Sequence, residues 1–222
     1  MLAEVSSAQD LKLRITEIFF SLQGESTRVG LPTVFVRLTG CPLRCVWCDT
    51  EYAFSGGENK SIAEILAAVA AYGTRHVCVT GGEPLAQKTC LALLTALCDA
   101  RYSVSLETSG ALDVSGVDAR VSRIMDIKAP DSGEAEKNRW ENLALLNGQD
   151  EIKFVLASER DYLWARDVLR QRKLDALCPV LMSPVQETLS PRELAEWILR
   201  DKLPVRMQVQ MHKVIWGAER AR

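Results

Sequence analysis

The chain has 222 residues, of which 47% are hydrophobic and 25% are charged, and its formal net charge at pH 7 is -2. This charge gives no electrostatic reason to expect nucleic acid or an anionic membrane as a partner, and no apolar run approaches the roughly 20 residues that a membrane span needs. The sequence therefore predicts a cytoplasmic protein folded as a single domain over residues 1–222, with a flexible start at residues 1–12.

Apolar runs rich in β-formers alternate with amphipathic stretches along the chain, as expected of βα units. In chain order, the candidate strands lie near 14–20, 33–39, 76–80, 103–107, 123–127, 152–156, 179–182 and 205–211. Helical periodicity covers 61–72, 87–100, 136–146, 161–172 and 191–200. Ser61 and Glu64 are spaced as in a capping box, and Ser190-Pro191 is typical of an N-cap followed by a first-turn proline.

The order of these elements predicts an α/β fold with a largely parallel sheet. A complete eight-fold βα barrel typically takes about 250 residues. This chain is shorter and must also hold a loop rich in cysteine, so we predict an incomplete (β/α) barrel with about six core parallel strands. The ligand site of such a barrel lies at the carboxyl ends of its strands.

Three cysteines stand close together after the strand near 33–39. Cys41, Cys45 and Cys48 have the spacing Cys-x3-Cys-x2-Cys, which offers a metal centre three thiolates and withholds a fourth. Structural zinc sites and electron-transfer clusters usually have four protein ligands, so one metal position would stay open for a small molecule. A zinc knuckle or a disulfide-bearing loop is the alternative interpretation. The other cysteines lie in apolar contexts and are expected to be buried: Cys78, Cys90, Cys98 and Cys178.

A second motif, Thr80-Gly81-Gly82-Glu83-Pro84, ends the strand near 76–80. Glycine allows the backbone to approach a ligand closely, and Glu83 is suited to receive a cationic amino group. An ordinary strand-ending turn is the alternative interpretation. Further polar residues at strand ends are candidates to bind hydroxyl or carboxylate groups, or to form buried salt bridges: Glu107, Ser109, Asp126 and Lys128.

The predicted strand near 205–211 has one apolar and one polar face. Its apolar residues, Met207, Val209 and Met211, alternate with Gln208, Gln210 and His212. The three polar residues are therefore candidates to line a pocket. A histidine on a polar strand face more commonly has a structural role, and that alternative stays open for His212.

The cysteine spacing, with an aromatic residue before the last cysteine, and the Gly-Gly-Glu segment resemble the radical S-adenosylmethionine superfamily. The resemblance implies that the three cysteines hold a 4Fe-4S cluster whose open iron binds S-adenosylmethionine. It also implies reductive cleavage of that cofactor to methionine and a 5'-deoxyadenosyl radical. The residues that it implies in binding S-adenosylmethionine are Trp47, Asp49, Gly81, Gly82, Glu83, Glu107, Ser109, Asp126, Ile127, Lys128 and Ser183.

Further segments narrow this resemblance to one family. Residues 18–26, 30–38, 48–50, 80–84, 107–108, 151–154 and 208–213 closely resemble 7-carboxy-7-deazaguanine synthases. The resemblance implies a radical-mediated ring contraction of 6-carboxy-5,6,7,8-tetrahydropterin to 7-carboxy-7-deazaguanine with loss of ammonia, a step toward queuosine and other deazapurines. It also implies a homodimer, and a flavodoxin-like protein is a plausible electron donor.

The family resemblance suggests substrate and metal ligands. Arg37 points to the opposite strand face from Val36 and Leu38, where its planar guanidinium is suited to the pterin carboxylate. Thr50 would help to hold a Mg²⁺ ion that also touches the substrate. A buried ion pair for Arg37 and a turn or N-cap role for Thr50 are the structural alternatives. The other residues implied in substrate binding are Leu22, Gln23, Gly24 and Thr80.

The chain departs from the family pattern at two places. Ser109 stands where asparagine is frequent, and the chain continues past Trp216 to Arg222. Two other functions also fit the cysteine loop. One is a different radical enzyme, such as an activase that installs a glycyl radical on a partner protein, and the other is a non-enzymatic iron–sulfur module for electron transfer. Neither of them explains the polar residues at the strand ends.

Overall fold

The computed structural model describes residues 10–217 and 219–221, which form an α/β fold on one nine-stranded sheet. The strands are β1 (Lys12–Leu22), β2 (Pro32–Leu38), β3 (Glu58–Ser61), β4 (His76–Gly81), β5 (Ser103–Thr108), β6 (Ser122–Asp126), β7 (Glu151–Leu156), β8 (Val180–Pro184) and β9 (Arg206–Met207). The α-helices are α1 (Ile62–Ala70), α2 (Cys90–Asp99), α3 (Glu159–Arg172), α4 (Pro191–Asp201) and α5 (Met211–Trp216).

The strand order in the sheet is β3-β1-β2-β4-β5-β6-β7-β8-β9. β1 is antiparallel to both of its neighbours, whereas every pairing from β2 to β9 is parallel. Within the described residues the edge strands β3 and β9 do not pair with each other, so the sheet does not close. The predicted incomplete barrel is therefore confirmed, with β2 and β4 to β8 as its core parallel strands.

Side-chain alternation along β2 separates a hydrophobic core from a cavity. Val36 and Leu38 are fully buried in a cluster that packs β1, β2, β4 and β5 against α1 and α2. Phe35 and Arg37 line a cavity on the opposite face, as the period of two in a strand requires. Phe35 stacks there on Phe19 of β1, with the ring centroids 4.9 Å apart.

The longer helices cover the outer face of the sheet. α1 begins with the predicted capping box, in which the Ser61 hydroxyl accepts a hydrogen bond from the Glu64 N–H and the Glu64 carboxylate accepts one from the Ser61 N–H. Ser190 caps α4, and Pro191 is the first helical residue. A second hydrophobic cluster packs α3 and α4 against β6, β7 and β8. Helices with these caps fix the outer layer, which leaves the inner face of the sheet for the cavity.

The predicted helix over 136–146 is wrong. This segment contains two short 3-10 turns, at Ala135–Lys137 and Trp140–Leu145. Its buried Asn142 side chain donates to the carbonyl oxygens of Gly110 and Leu112 and accepts from the N–H of Val114. These bonds link the segment to the chain after β5. The backbone of the segment makes hydrogen bonds three residues apart, such as the Asn142 N–H to the Arg139 carbonyl at 3.1 Å, in place of the four-residue spacing of an α-helix.

The predicted strand over 205–211 is also wrong beyond β9, because Met211 begins α5. Its alternating glutamines do not lie along a strand face. The Gln208 amide donates to the carbonyl of Ser26 and its oxygen accepts from the Ser26 N–H, while Gln210 donates to Glu25. β3 was not predicted, since its residues are polar and carry no apolar alternation.

The prediction for the start of the chain can be compared with the structure only in part. Most of the predicted flexible start at residues 1–12 lies outside the described residues, and β1 begins at Lys12. Across residues 10–217 and 219–221, no helix is both long enough and apolar enough to cross a membrane.

Candidate active site

A cavity of about 690 Å³ opens at the carboxyl ends of the parallel strands. It is lined there by Arg37 of β2, Thr80 of β4, Glu107 of β5 and Asp126 of β6. The cysteine loop, the loop after β1 and the end of the chain complete the lining. Small-molecule sites typically measure about 300 to 1,000 Å³, so the cavity can hold a cofactor together with a small substrate.

The clustered cysteines lie on one side of this cavity. All seven cysteines are free, and the thiols of Cys41, Cys45 and Cys48 are partly exposed to the cavity. The loop that carries them is fixed from outside: the N–H of Val46 donates to the Ser132 carbonyl at 3.1 Å, and the N–H of Arg44 donates to Glu134 Oε1 at 2.6 Å. Free thiols on an anchored loop do not favour the disulfide interpretation.

These three thiols fit a 4Fe-4S cluster. Burial raises the pKa of each of them, so their thiolate forms need a cationic partner such as a metal centre. No three His, Cys, Asp or Glu side chains of the described residues converge as ligands of one metal ion do. A 4Fe-4S cluster does not require such convergence, because each thiolate binds a different iron. With three thiolates, one iron would keep an open position.

The Gly-Gly-Glu turn after β4 packs against the start of the cysteine loop. The N–H of Gly82 donates to the Leu38 carbonyl at 3.2 Å, and the N–H of Glu83 donates to the Gly40 carbonyl at 2.8 Å. A Cβ atom at Gly82 would lie 2.4 Å from the Gly40 oxygen and 2.7 Å from Cβ of Cys41. Only glycine fits at this position, which lies beside the first cysteine of the loop.

The Glu83 carboxylate is fully buried and is not part of the cavity lining. It accepts hydrogen bonds from the Thr108 hydroxyl, from the N–H and hydroxyl of Ser109, and from the Leu85 N–H. These bonds join the ends of β4 and β5. A contact between Glu83 and the amino group of S-adenosylmethionine stays a prediction, whereas Ser109 itself lines the cavity.

Glu107 is the centre of a polar wall. The Thr80 hydroxyl donates to Glu107 Oε2 at 2.8 Å, and the Gln23 amide donates to Glu107 Oε1 at 3.4 Å. All three side chains line the cavity. A wall of this kind offers directional hydrogen bonds to the edge of a planar heterocycle.

Lys153 of β7 connects several charged groups in the cavity wall. Its ammonium group contacts the Glu25 carboxylate and lies 3.7 Å from Asp126 Oδ2, which also pairs with Lys128 at 3.1 Å. The Gln210 amide donates to Glu25 Oε1 at 2.6 Å. Burial would raise the pKa of Glu25, but the charge and hydrogen bond of Lys153, together with the hydrogen bond from Gln210, outweigh it, and the pKa lies below its usual value. Glu25 is therefore ionised at neutral pH.

One acceptor in this wall is unsatisfied. Oδ1 of Asp126 is buried and has no hydrogen-bond partner among the described residues. Because buried polar atoms in proteins are nearly always paired, a hydroxyl or ammonium group of a ligand would complete this site. The position fits the expected binding of S-adenosylmethionine, which carries ribose hydroxyls and an amino group.

Arg37 forms an ion pair and also lines the cavity. Its Nε donates to Glu17 Oε1 at 2.7 Å, and the Tyr52 hydroxyl donates to the same oxygen at 2.8 Å. Burial, reinforced by the bond to Glu17, raises the pKa of Tyr52 to about 12, so the phenol stays protonated and remains a donor. Arg37 thus forms the ion pair that the structural alternative predicted, and its side chain still lines the cavity.

Helix α5 closes the cavity next to the loop after β1. The Met211 N–H donates to the Gly24 carbonyl at 3.0 Å, and a Cβ atom at Gly24 would lie 2.1 Å from Nδ1 of His212. Burial lowers the pKa of His212, which keeps its ring neutral at pH 7. Lys213 pairs with Asp49 Oδ2 at 2.9 Å and so joins α5 to the cysteine loop.

Asp49 and Thr50 present oxygen atoms to the cavity directly after the last cluster cysteine. Burial would raise the pKa of Asp49, but the Lys213 charge and hydrogen bond lower it to about 2. The Thr50 hydroxyl donates to Asp49 Oδ1 at 2.8 Å, which leaves its oxygen lone pairs available. This oxygen is a suitable ligand for a hard cation when water and substrate supply the remaining ligands.

The end of the chain turns back along the cavity. Gly217 has φ +61 and follows α5, and residues 219–221 line the cavity after this turn. The Arg220 guanidinium lies over the Tyr52 ring, 4.3 Å from its centroid. The tail therefore contributes a cationic side chain beside the pair of Arg37 and Glu17.

Most of the predicted site residues meet in this one cavity. Its lining contains Leu22, Gln23, Gly24, Arg37, Cys41, Cys45, Trp47, Cys48, Asp49, Thr50, Thr80, Gly81, Gly82, Glu107, Ser109, Asp126 and Lys128. Gln210 and His212 line it as well. Four other predicted residues are buried and do not line it: Glu83, Ile127, Ser183 and Gln208. Their roles toward a ligand stay predictions.

The sequence did not single out several residues that line the cavity: Glu25, Tyr52, Lys153, Lys213 and Arg220. Glu25, Lys153 and Lys213 stand inside segments 18–26, 151–154 and 208–213, so the family resemblance carried a usable signal for all three. No motif marks Tyr52 or Arg220, which reach the cavity through the turn after Thr50 and through the tail after α5.

Comparison with known proteins shows which family the chain resembles. Residues 35–130 match the family model of the radical SAM superfamily. A 7-carboxy-7-deazaguanine synthase from Chlorobaculum tepidum is 50% identical over 210 residues, which cover 93% of this chain and 96% of the relative. The protein with the same name from Koribacter versatilis is 42% identical over 222 residues, covering 93% of this chain and 98% of the relative.

Solved structures with a similar fold include the crystal structure of QueE from Escherichia coli. It has a TM-score of 0.75 and 25% sequence identity, and the match covers 90% of this chain and 95% of that chain. SuiB from Streptococcus suis, solved with S-adenosylmethionine, has a TM-score of 0.56 at 16% identity, and the match covers 77% of this chain and 48% of that one. The likeness to SuiB concerns the fold alone.

Proposed function

The chain belongs to the 7-carboxy-7-deazaguanine synthase family, and we propose that it converts 6-carboxy-5,6,7,8-tetrahydropterin to 7-carboxy-7-deazaguanine with release of ammonia. It is a radical S-adenosylmethionine enzyme. The observation that carries the proposal is one cavity with three partly exposed thiols and, in the same lining, Arg37, Gln23 and Glu107. A cluster site and a polar heterocycle site would thus share one enclosed space, which a radical reaction between two bound molecules needs.

Cys41, Cys45 and Cys48 would hold the 4Fe-4S cluster. When bound, the cluster and S-adenosylmethionine supply the 5'-deoxyadenosyl radical that removes a hydrogen atom from the substrate. Gly82 would let the turn after β4 pack against the loop that holds the cluster, since a Cβ atom there would meet the Gly40 oxygen and Cys41. The unpartnered Oδ1 of Asp126 supports a role for this carboxylate as an acceptor for the cofactor. The remaining residues proposed to bind S-adenosylmethionine are Trp47, Asp49, Gly81, Glu83, Glu107, Ser109, Ile127, Lys128 and Ser183.

The substrate would lie against the polar wall. Arg37 would bind the pterin carboxylate through the guanidinium nitrogens that its bond to Glu17 leaves open. Gln23 and Thr80 would orient the ring edge, while Leu22 and Gly24 would form the apolar wall and the close backbone contact. The chain's own task in this reaction is to orient the reactants and exclude water.

A magnesium ion would bind at Thr50, with oxygen atoms of the substrate and of water completing its octahedron. The hydroxyl of Thr50 at the cavity, beside the ionised Asp49, supports this assignment. The ion would orient the substrate carboxylate and ring during the rearrangement.

The proposed partners follow from the same chemistry. A flavodoxin-like protein would deliver the electron that reduces the cluster, and two copies of the chain would form a homodimer in the cytoplasm. The similar proteins named above do not favour the alternatives of a glycyl-radical activase or an electron-transfer module.

The direct test reconstitutes the protein anaerobically with iron and sulfide and adds reductant, S-adenosylmethionine, Mg²⁺ and 6-carboxytetrahydropterin. We expect mass spectrometry to detect 7-carboxy-7-deazaguanine. Cys41→Ala should abolish the product and lower the bound iron, whereas Cys98→Ala, a buried cysteine outside the cavity lining, should retain both.

Three outcomes would each contradict one part of this proposal. Accumulation of 5'-deoxyadenosine without the deazaguanine product would contradict the substrate assignment and leave the radical chemistry intact. Full activity of Arg37→Met would show that this side chain does not bind the substrate carboxylate. Omission of Mg²⁺ from a chelator-treated assay should lower kcat/KM, and an unchanged value would remove the proposed metal site.

A further inference from the structure

The cations at the cavity differ in how their charges are balanced. Within the described residues Arg37 pairs with Glu17, Lys128 with Asp126, and Lys213 with Asp49. Lys153 likewise pairs with Glu25 and lies near Asp126. Each of these positive charges therefore faces a carboxylate of the protein itself. A paired cation attracts a further anion only weakly, because its partner offsets most of its charge.

Arg220 has a different contact. Its guanidinium lies 4.3 Å from the centroid of the Tyr52 ring and lines the cavity. Stacking on an aromatic face holds a guanidinium in place without neutralising it, and its N–H groups remain directed outward in the plane of the group. The Arg37 guanidinium lies 5.9 Å from the centroid of the same ring. Both guanidinium groups thus lie close to the same aromatic ring in the cavity wall.

We propose that Arg220 is a specificity-determining residue that binds the carboxylate substituent of the substrate together with Arg37. The inference rests on the proposed function, because it takes the ring-bound carboxylate of the pterin as the anion. Arg37 would supply the directional hydrogen bonds, and Arg220 would supply the net positive charge that the pair of Arg37 and Glu17 lacks. Arg220 would not strengthen the binding of pterins that lack a carboxylate.

The fold explains how the tail reaches this position. Lys213 fixes α5 to Asp49 at 2.9 Å, and Gly217, with φ +61, begins a turn directly after the helix, in which the Glu219 N–H donates to the Trp216 carbonyl at 3.3 Å. Residues 219–221 then line the cavity. The tail is therefore anchored through α5 to the cysteine loop, whose next turn carries Tyr52. Asp49, which pairs with Lys213, and Tyr52, which stacks on Arg220, thus lie in one continuous segment of the chain.

The test compares the binding of two fluorescent, redox-inert pterins to the reconstituted protein with S-adenosylmethionine and Mg²⁺. One probe is 6-carboxypterin, and the other is 6-methylpterin, which lacks the carboxylate. We expect Arg220→Gln to weaken binding of 6-carboxypterin roughly tenfold, as loss of a charged hydrogen bond does, and to leave binding of 6-methylpterin unchanged. Arg220→Lys, which keeps the charge but not the planar stacking group, should recover part of the loss.

Arg192→Gln is the matched control, because Arg192 lies on α4, is highly exposed and does not line the cavity. Equal affinity of wild type and Arg220→Gln for 6-carboxypterin would overturn the inference while leaving the proposed function intact. Equal weakening of both probes would also overturn it, since this result would mean a general effect on the cavity. Failure of the wild type to bind either pterin would contradict the proposed substrate class and, with it, the role of Arg220.

Discussion

Single buried carboxylates determine how the strand ends meet. Glu83 accepts bonds from three residues at the ends of β4 and β5, and Glu25 accepts from Lys153 and Gln210. A buried carboxylate is stable in such places only when donors surround it. These residues are therefore sensitive to changes that keep their shape and alter their hydrogen bonding.

Glu83→Gln tests this sensitivity. The substitution places an NH₂ donor against the Thr108 and Ser109 donors, so at least one buried donor loses its acceptor. We expect the free energy of unfolding to fall by about 2 kcal/mol in urea titrations of the apoprotein under anaerobic conditions. Glu58→Gln, at a highly exposed carboxylate, should change it by only a few tenths. Similar values for the two variants would contradict the structural role of Glu83.

At the scale of whole elements, two segments outside the sheet, α5 and residues 135–145, are held by contacts that a sequence pattern does not reveal. α5 docks on the loop after β1 through the bond between Met211 and Gly24 and through the contact of His212 with Gly24. Segment 135–145 holds its place through Asn142. Both segments are held by polar or steric contacts between distant parts of the chain, and a single substitution can break each set of contacts.

Gly24→Ala should displace α5. The new methyl group would stand 2.1 Å from Nδ1 and 3.0 Å from Cβ of His212, so the His212 side chain, or the helix that carries it, must move. A shift of this size in a substrate wall lowers catalytic efficiency strongly, and we expect kcat/KM for product formation to fall about 100-fold. Iron content should stay unchanged, because the cysteines are not involved. Gly148→Ala is the control, since nothing lies within 4 Å of the added carbon. Unchanged kinetics of Gly24→Ala would refute this packing.

Asn142→Ala should destabilise the fold without touching the cavity. It leaves the carbonyls of Gly110 and Leu112 and the N–H of Val114 without their side-chain partner. We expect a loss of about 3 kcal/mol in the free energy of unfolding, measured by urea titration. Asn59→Ala, at an exposed site on β3, serves as comparison. A loss below that of the comparison would mean that the segment is held by its apolar contacts instead.

Local signals in the sequence predict many elements of this fold, but they do not predict the long-range contacts of these two segments. The strands and capped helices were predictable because their signals are local, as in the apolar run 77–79 and the spacing of Ser61 and Glu64. The helix predicted over 136–146 was wrong because the three bonds of Asn142 reach residues about 30 positions away, beyond any local period. Among site residues, the motif positions were predictable from the resemblance, but the pairing of Lys153 with Glu25 spans 128 positions and leaves no trace in spacing.

On the scale of the whole molecule, the loop after β1 bonds to the segment after β9, whereas a closed barrel would have paired strands between its first and last strands. Residues 24–26, after β1, bond to residues 208–211, after β9, through Gln208, Gln210 and the Met211 N–H. The pair of Lys153 and Glu25 connects the same loop to β7. The two halves of the fold are thus joined across the cavity by hydrogen bonds and a buried ion pair.

Lys153→Met should change the pH dependence of stability. In the wild type the pKa of Glu25 is lowered because the charge and hydrogen bond of Lys153, with the hydrogen bond from Gln210, outweigh the effect of burial. The pair therefore stabilises the fold above about pH 4.5, and this contribution is lost as pH falls through the lowered pKa. Without the ammonium group, burial is opposed only by the weaker effects of Gln210 and His212, and the pKa should rise. The variant should lose about 3 kcal/mol at pH 7 and recover part of it, relative to wild type, on acidification toward pH 5.

The double variant Lys153→Met with Glu25→Gln supplies the control for this prediction, because it removes both charges. Its difference in unfolding free energy from wild type should not shrink between pH 7 and pH 5. If the single variant instead lost stability in parallel with wild type on acidification, the buried ion pair would not be the source of the effect.

The bridge between residues 24–26 and 208–211 joins positions more than 180 residues apart, which sets an order of events during synthesis. The strands from β1 to β8 and the cysteine loop can form as they leave the ribosome, since each pairs with elements already made. The far wall of the cavity must wait for residues 208–221. A newly made molecule therefore offers its three thiols through an open side until these residues have been made and have docked.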